Sequence, residues 1–282
     1  MKRLFKKSLL VSLLLVGQGF FQSAVGQEPA KPSLEARFRQ DTNQVEPSYQ
    51  ENLSSLVSYM KGKGFDIDSL IADERFKIDD SIVIRFKNSS EKRAKDLDEY
   101  KRIHEYEKKK IAILEFMEKN LSQLRRAEET YGIPKETIAA IFGIESNFAR
   151  GSGRFNPFNA YVSMHVKGIR SDLAIPQLIE LLKFCRKNSI NVFDLKSSYA
   201  GAMSYAQFIP SSLNNWFVGT DLYNLDNNIM SVANYLSHFK KRSGSLEQAV
   251  YGYNHKDFYV RFVMDLAKEA EKALAGPQQK QF

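Results

Sequence analysis

One cysteine stands among 282 residues. A single thiol rules out an internal disulfide, and Cys185, set in LIELLKFCRK, fits a small buried hydrophobe on a helix better than a ligand or nucleophile. Zinc-type spacings, a phosphate-binding glycine loop and a basic stripe interleaved with aromatics are all missing, which removes the usual signatures of zinc, nucleotide-phosphate and nucleic-acid sites. His165, His238 and His255 have no partners at ligand spacing and read as structural or solvent-facing. Long apolar runs are absent too. SLLVSLLLVG is about ten residues, where a bilayer-crossing helix takes roughly 20. No segment alternates long enough to make a convincing strand, and no internal repeat is visible.

What is there begins with a leader. MKRLFKK is a basic head, the apolar run follows, and Ala24-Val25-Gly26 offers small residues at a cleavage spacing, so residues 1–26 are expected to be a secretory signal peptide, with retention as an uncleaved anchor as the alternative. No cysteine lies near the cleavage point, and no lipid anchor is expected. The formal charge of +8 falls to about +4 once Lys2, Arg3, Lys6 and Lys7 are removed. That mild excess suits an anionic polymer without demanding one. Nucleic acid would be an odd partner for an exported protein.

Residues 27–46 are polar and proline-bearing, a flexible lead-in. From Ser48 the pattern is helical. YQENLSSLVSYMKGKG closes on glycine, FDIDSLIADERF reads as a short helix, and residues 91–130 are almost unbroken helix formers, with Leu114, Met117, Leu121 and Leu124 marking one apolar face. Tyr131-Gly132-Ile133-Pro134 is a sharp break, Gly132 taking a left-handed cap and Pro134 suiting the first turn of PKETIAAIFGIE, a helix apolar on most sides. Glycine- and asparagine-rich sequence follows, then helices around 173–187, 226–241 and 256–274, a short hairpin near 190–200 and a frayed tail. Pro210-Ser211-Ser212 reads as a helix end followed by a new cap. The expected fold is mainly α.

Glu145 ends the apolar helix. A carboxylate there is desolvated, which keeps its proton near neutral pH and suits a general acid; the plainer alternative is a side chain turning outward at the helix end. In SYAGAMSYAQFIPSS, Gly201 and Ala202 let a backbone or a ligand approach closely, and Gln207 sits amid apolar residues where its amide must find partners, in a ligand or in local backbone. In AVYGYNHKDFYVRFV, Tyr253 and Asn254 join a ring to an amide, a combination that suits sugars, with Tyr259 near the start of the last helix; ordinary core tyrosines are the alternative.

YGIPKETIAAIFGIES, SSYAGAMSYAQFIPSS and YGYN followed by Tyr259-Val260, in this order, resemble the membrane-bound lytic transglycosylase B type of murein-cleaving enzymes, within the lysozyme-like superfamily. The resemblance runs from about Asp73 to about Leu266. It implies a lysozyme-like catalytic domain over 131–274, a helical extension over 47–130 packed on it, and a tail over 275–282. It implies Glu145 as the single catalytic acid and base, with Ser198, Gln207, Tyr253, Asn254 and Tyr259 holding or lining the sugar. Arg170 falls where the family has paired arginines, though Ser171 replaces the second. Ser146, Ser204 and Ala206 depart from the family's usual threonine and glycines. Between the GAM segment and SVANY only Asp221 and Asp226 are acidic, without the alternating acids and central glycine of a calcium loop, so no metal and no cofactor are expected.

The reaction implied is lytic: cleavage of the β-1,4 bond between N-acetylmuramic acid and N-acetylglucosamine in peptidoglycan, with a 1,6-anhydromuramoyl end. No second motif-grade acid is visible, Asp172 and Asp194 having nothing in their spacing to recommend them. A hydrolytic muramidase of the same fold, a chitin-directed glycosidase and a non-catalytic murein-binding scaffold remain as alternatives. The expected setting is the periplasm or cell envelope, the expected partners are glycan strands together with cell-wall synthesis or secretion machinery, and the expected state is a monomer.

Overall fold

A computed structural model describes residues 49–89 and 93–276. The leader, the lead-in and residues 277–282 of the tail lie outside the described residues. The described residues form helices, isolated bridges and loops, with no extended strand among them.

The N-terminal part comprises α1 (Tyr49–Gly62), α2 (Asp68–Ile71), α3 (Ile82–Lys87), α4 (Leu97–Ile103), α5 (Tyr106–Lys119) and α6 (Leu121–Tyr131). Among the described residues, the almost unbroken run of helix formers read over 91–130 holds the three helices α4, α5 and α6. Glu105 breaks it in a left-handed conformation (φ 53°), and the resulting bend lets Tyr100 and Tyr106 both pack edge-on against Phe262. Asn120 breaks it again. Its side-chain amide turns back to donate to Phe116 O at 2.8 Å, a local bond that competes with helix continuation. Of the expected apolar face, Met117 and Leu124 are buried while Leu114 and Leu121 are partly so; Ile113, Phe116 and Ala127 complete the inner stripe.

Gly132 takes the left-handed cap as expected, its N–H donating to Glu128 O at 2.8 Å, and Pro134 sits one residue ahead of the first turn of α7 (Lys135–Ser146). The apolar residues of α7 from Ile138 to Gly143 are buried on every side, which makes it the central helix. Around it lie α8 (Pro157–Val166), α9 (Ser171–Asn188), a 3-10 turn at Val192–Asp194, α10 (Pro210–Trp216), α11 (Leu225–Ser243), α12 (Leu246–Tyr253) and α13 (Asp257–Ala275). The α13 and α5 helices pack on α7 directly.

One helix was not foreseen and two local expectations are corrected. The asparagine-rich stretch starts a helix: Asn156 caps α8, accepting from Phe158 N at 3.0 Å and Asn159 N at 3.2 Å, and Pro157 occupies the first turn, where its missing N–H costs nothing. Pro210 begins a helix rather than ending one. The hairpin placed near 190–200 is replaced by the 3-10 turn and by single bridges linking Phe155 to Ser197, Ser197 to Met203 and Met203 to Phe208. One buried core runs from Leu56 to Ala270, drawing on residues before and after Gly132 alike.

Candidate active site

The last turn of α7 sets the geometry. Glu145 is half-buried, while Ser146 behind it is buried. The chain then passes through three consecutive non-glycine residues with positive φ: Asn147 (50°), Phe148 (61°) and Ala149 (61°). Each such residue costs on the order of 1 kcal/mol, so the turn persists because its surroundings dictate it. Phe148 N donates to Phe142 O at 2.8 Å, Ala149 N to Ser146 Oγ at 3.1 Å, and Arg150 N to Ser146 O at 3.0 Å. The Phe148 ring fills the space over Gly143, where an added Cβ would stand 2.9 Å from Phe148 Cζ.

Tyr259, on α13, is 1% exposed and donates its hydroxyl to Glu145 Oε1 at 2.7 Å. Burial first, and then the charge of Glu145, push the Tyr259 phenol well above its ordinary range, so it stays a neutral donor. Tyr253 is buried too, its hydroxyl donating to Ala206 O at 2.5 Å and its ring lying 5.5 Å from that of Phe208. That hydroxyl is therefore spent on the 198–208 loop. Asn254 closes α12; it is 8% exposed and its Oδ1 is buried with no hydrogen-bond partner.

The 198–208 loop faces Glu145 through Gln207. Met203 and Phe208 exchange backbone bonds at 2.8 and 2.9 Å, and the turn between them puts Ser204 (φ 68°) and Gln207 (φ 52°) in the left-handed region. Gln207 Nε2 donates to Ser204 O at 2.8 Å, the local bonding that was one of its two expectations, and the residue lines the same cleft as Glu145. Ser198 Oγ accepts from Ala202 N at 3.2 Å. The close approach expected at Gly201 is made by a side chain: a Cβ on this residue (φ +83°) would lie 2.2 Å from Tyr161 Cζ, whose hydroxyl donates to Gly201 O at 3.0 Å. Gly153 (φ +94°) allows an equally close approach at the start of that loop, where a Cβ would stand 2.1 Å from Ser197 C and O.

These walls enclose an open cleft of about 400 Å³ lined by Ile144, Glu145, Ser146, Asn147, Arg150, Gly151, Gly153 and Gln207. Glu145 is the one carboxylate in that lining. Asn147 and Arg150 were not among the residues singled out from the sequence. Arg170 lies elsewhere, its guanidinium 5.4 Å from the Phe86 ring. Asp194, considered as a second acid, instead faces Arg75 at 3.8 Å. Asp221 accepts from Tyr223 N at 2.8 Å and Asp226 pairs with Arg126; no group of three or more potential metal ligands occurs among the described residues. No described helix is long and apolar enough to cross a membrane. Burial pushes the Cys185 thiol up to about 12, in keeping with an inert core residue.

The family model of the transglycosylase SLT domain matches residues 48–246. The chain is 31% identical over 121 residues to membrane-bound lytic murein transglycosylase B of Escherichia coli K12, a match covering 42% of this chain and 34% of that protein. The match thus spans about a third of the curated relative's length. Among solved structures, the catenated lytic transglycosylase SltB1 of Pseudomonas aeruginosa superposes with a TM-score of 0.68 at 22% identity, over 81% of this chain and 99% of that one. SltB3 of the same organism, in complex with NAG-NAM-pentapeptide, gives 0.68 at 17% identity over 79% and 80%. The fold is that of these lytic transglycosylases.

Proposed function

The chain belongs to the transglycosylase SLT domain family, and on that premise we propose that it is a lytic transglycosylase, cutting peptidoglycan between N-acetylmuramic acid and N-acetylglucosamine and leaving a 1,6-anhydromuramoyl end. The observation that carries this is a cleft lined by one carboxylate, Glu145, with the buried Tyr259 hydroxyl 2.7 Å from its Oε1. The usual glycosidase sites hold two carboxyl groups, about 5 Å apart for retention and wider for inversion. A one-carboxylate cleft favours chemistry in which the substrate supplies the second group. The glycan that SltB3 holds, NAG-NAM-pentapeptide, supports murein as the substrate class.

The reaction then runs in two steps at one residue. Glu145 gives its proton to the glycosidic oxygen as the bond to C1 breaks, and the 2-acetamido group shields the positive charge left at C1. The ionised Glu145 takes the proton of the C6 hydroxyl, and O6 closes on C1. No water is consumed. Tyr259 stabilises the carboxylate formed between the steps, because a hydrogen bond donated to an anion is stronger than one to its neutral form. Ser198, Gln207 and Asn254 hold the sugar; the unfilled Asn254 Oδ1 suits a sugar hydroxyl. Tyr253 acts from behind, fixing the loop that carries Gln207. Arg170 would meet the glycan or its peptide only beyond the Glu145 cleft. We further propose that residues 47–130 form an extension of one catalytic unit with 131–274, and that the protein works as an exported monomer in the cell envelope.

Mass spectrometry of soluble fragments from purified murein tests the reading. The protein should release anhydro-muropeptides, lighter by one water than hydrolytic products, and Glu145→Gln should release none while keeping its fold. Hydrated reducing ends would assign a muramidase. Binding to murein without fragments from either protein would assign a scaffold.

A further inference from the structure

Lys109 is a charged residue that the proposed chemistry does not use. It lies on α5, 7% exposed, facing the end of α7. An apolar side chain of the same length would pack there without the desolvation that an ammonium suffers. The acceptor it reaches is Asn147 Oδ1, at 3.3 Å. Burial pulls the Lys109 ammonium below its ordinary range; Glu105 opposes that shift, while Arg150 and Lys108 add to it.

Asn147 is the first of the three left-handed residues that follow Glu145 and Ser146. Phe148 is fixed by its ring over Gly143 and its N–H to Phe142 O, and Ala149 by Ser146 Oγ. The Asn147 side chain is tied by Lys109. Asn147 also lines the Glu145 cleft, as does Arg150 at the far end of the turn. The Asn147 N–H donates to Phe142 O, so without Lys109 that backbone bond alone would hold Asn147, two residues after Glu145, where a small displacement of a reacting group is expensive.

We propose that Lys109 is a positioning residue for Glu145, holding the left-handed turn through the Asn147 amide. The role in turnover rests on the lytic reading; the clamp itself does not. Lys109→Met should lower kcat for anhydro-muropeptide release about tenfold with KM within about twofold, the pattern of a group that orients the chemistry rather than the ligand. Lys109→Arg, which keeps a cation on a similar stem, should recover most of the loss. Asn147→Ala should resemble Lys109→Met, and the double variant should be little worse than either, because both break one connection. Unchanged kcat in Lys109→Met, or losses that multiply in the double variant, would overturn the proposal. Hydrogen exchange gives a readout without substrate. Lys109→Met should speed exchange at the Phe148 and Ala149 amides while α13 keeps its protection. Equal protection in both proteins would overturn the clamp even if the wild-type protein proved inactive on murein, an outcome that would separately refute the lytic reading.

Discussion

Removing the hydroxyl of Tyr259 should move the pH profile in the direction opposite to simple damage. Tyr259→Phe keeps the ring that is buried against α7 and deletes one bond, a 2.7 Å donation to Glu145 Oε1. Hydrogen bonds to charged groups are worth about 1.5–3 kcal/mol, and this one favours the carboxylate over the protonated acid. Its loss should therefore carry the ionisation of Glu145 upward. On the proposed mechanism the free enzyme holds Glu145 protonated at the start, so the alkaline limb of kcat/KM should shift to higher pH. The maximal kcat should nevertheless fall, roughly tenfold or more, since the anion between the two steps loses one donor. The assay is release of anhydro-muropeptides from pH 4 to 9, with thermal unfolding as a control on the fold. An alkaline limb that stays put, or moves down, would refute the reasoning, because the bond would then not discriminate between the two forms of Glu145.

Three further outcomes are expected. His104 is held down to about 4 by burial and the charge of Lys109, and its Nε2 is buried without a partner; the unfolded chain, titrating near 6.5, binds the proton first, so stability should drop by up to about 3 kcal/mol as pH falls from 6.5 to 4. Urea midpoints for the wild type and His104→Phe should diverge over that window, and parallel curves would refute it. Gly201→Ala should destabilise by more than about 2 kcal/mol, since a Cβ meets the Tyr161 ring at 2.2 Å on a left-handed backbone; an unchanged melting temperature would count against this. The Cys185 thiol, buried and pushed up to about 12, should resist a thiol reagent at pH 8 until urea unfolds the chain.

Much of this was legible in the sequence wherever chemistry is local. The break at Gly132 and Pro134 and the all-round apolar pattern of Ile138 to Gly143 placed α7, and with it Glu145, because caps and periodicity act within a turn. Other features were local but misread. Asn156-Pro157, a cap followed by a first-turn proline, signals a helix start, yet it was hidden within a glycine-rich stretch. The breaks at Glu105 and Asn120 carry no glycine or proline; the bend at Glu105 accompanies the packing of Tyr100 and Tyr106 on Phe262, from the far end of the chain. The site's decisive contacts are of that distant kind. Tyr259 and Glu145 are 114 residues apart and Lys109 and Asn147 are 38 apart, and no pattern in a short window reports such meetings.

The two C-terminal tyrosines impose an order in time. Tyr253 grips the loop bearing Gln207, and Tyr259 reaches Glu145. Both follow Glu145, Ser198 and Gln207 in chain order. A nascent or truncated polypeptide that already holds Glu145, Ser198 and Gln207 thus lacks the two bonds that set them against one another. A chain stopped before α12 and α13 would carry Glu145 without either of these bonds.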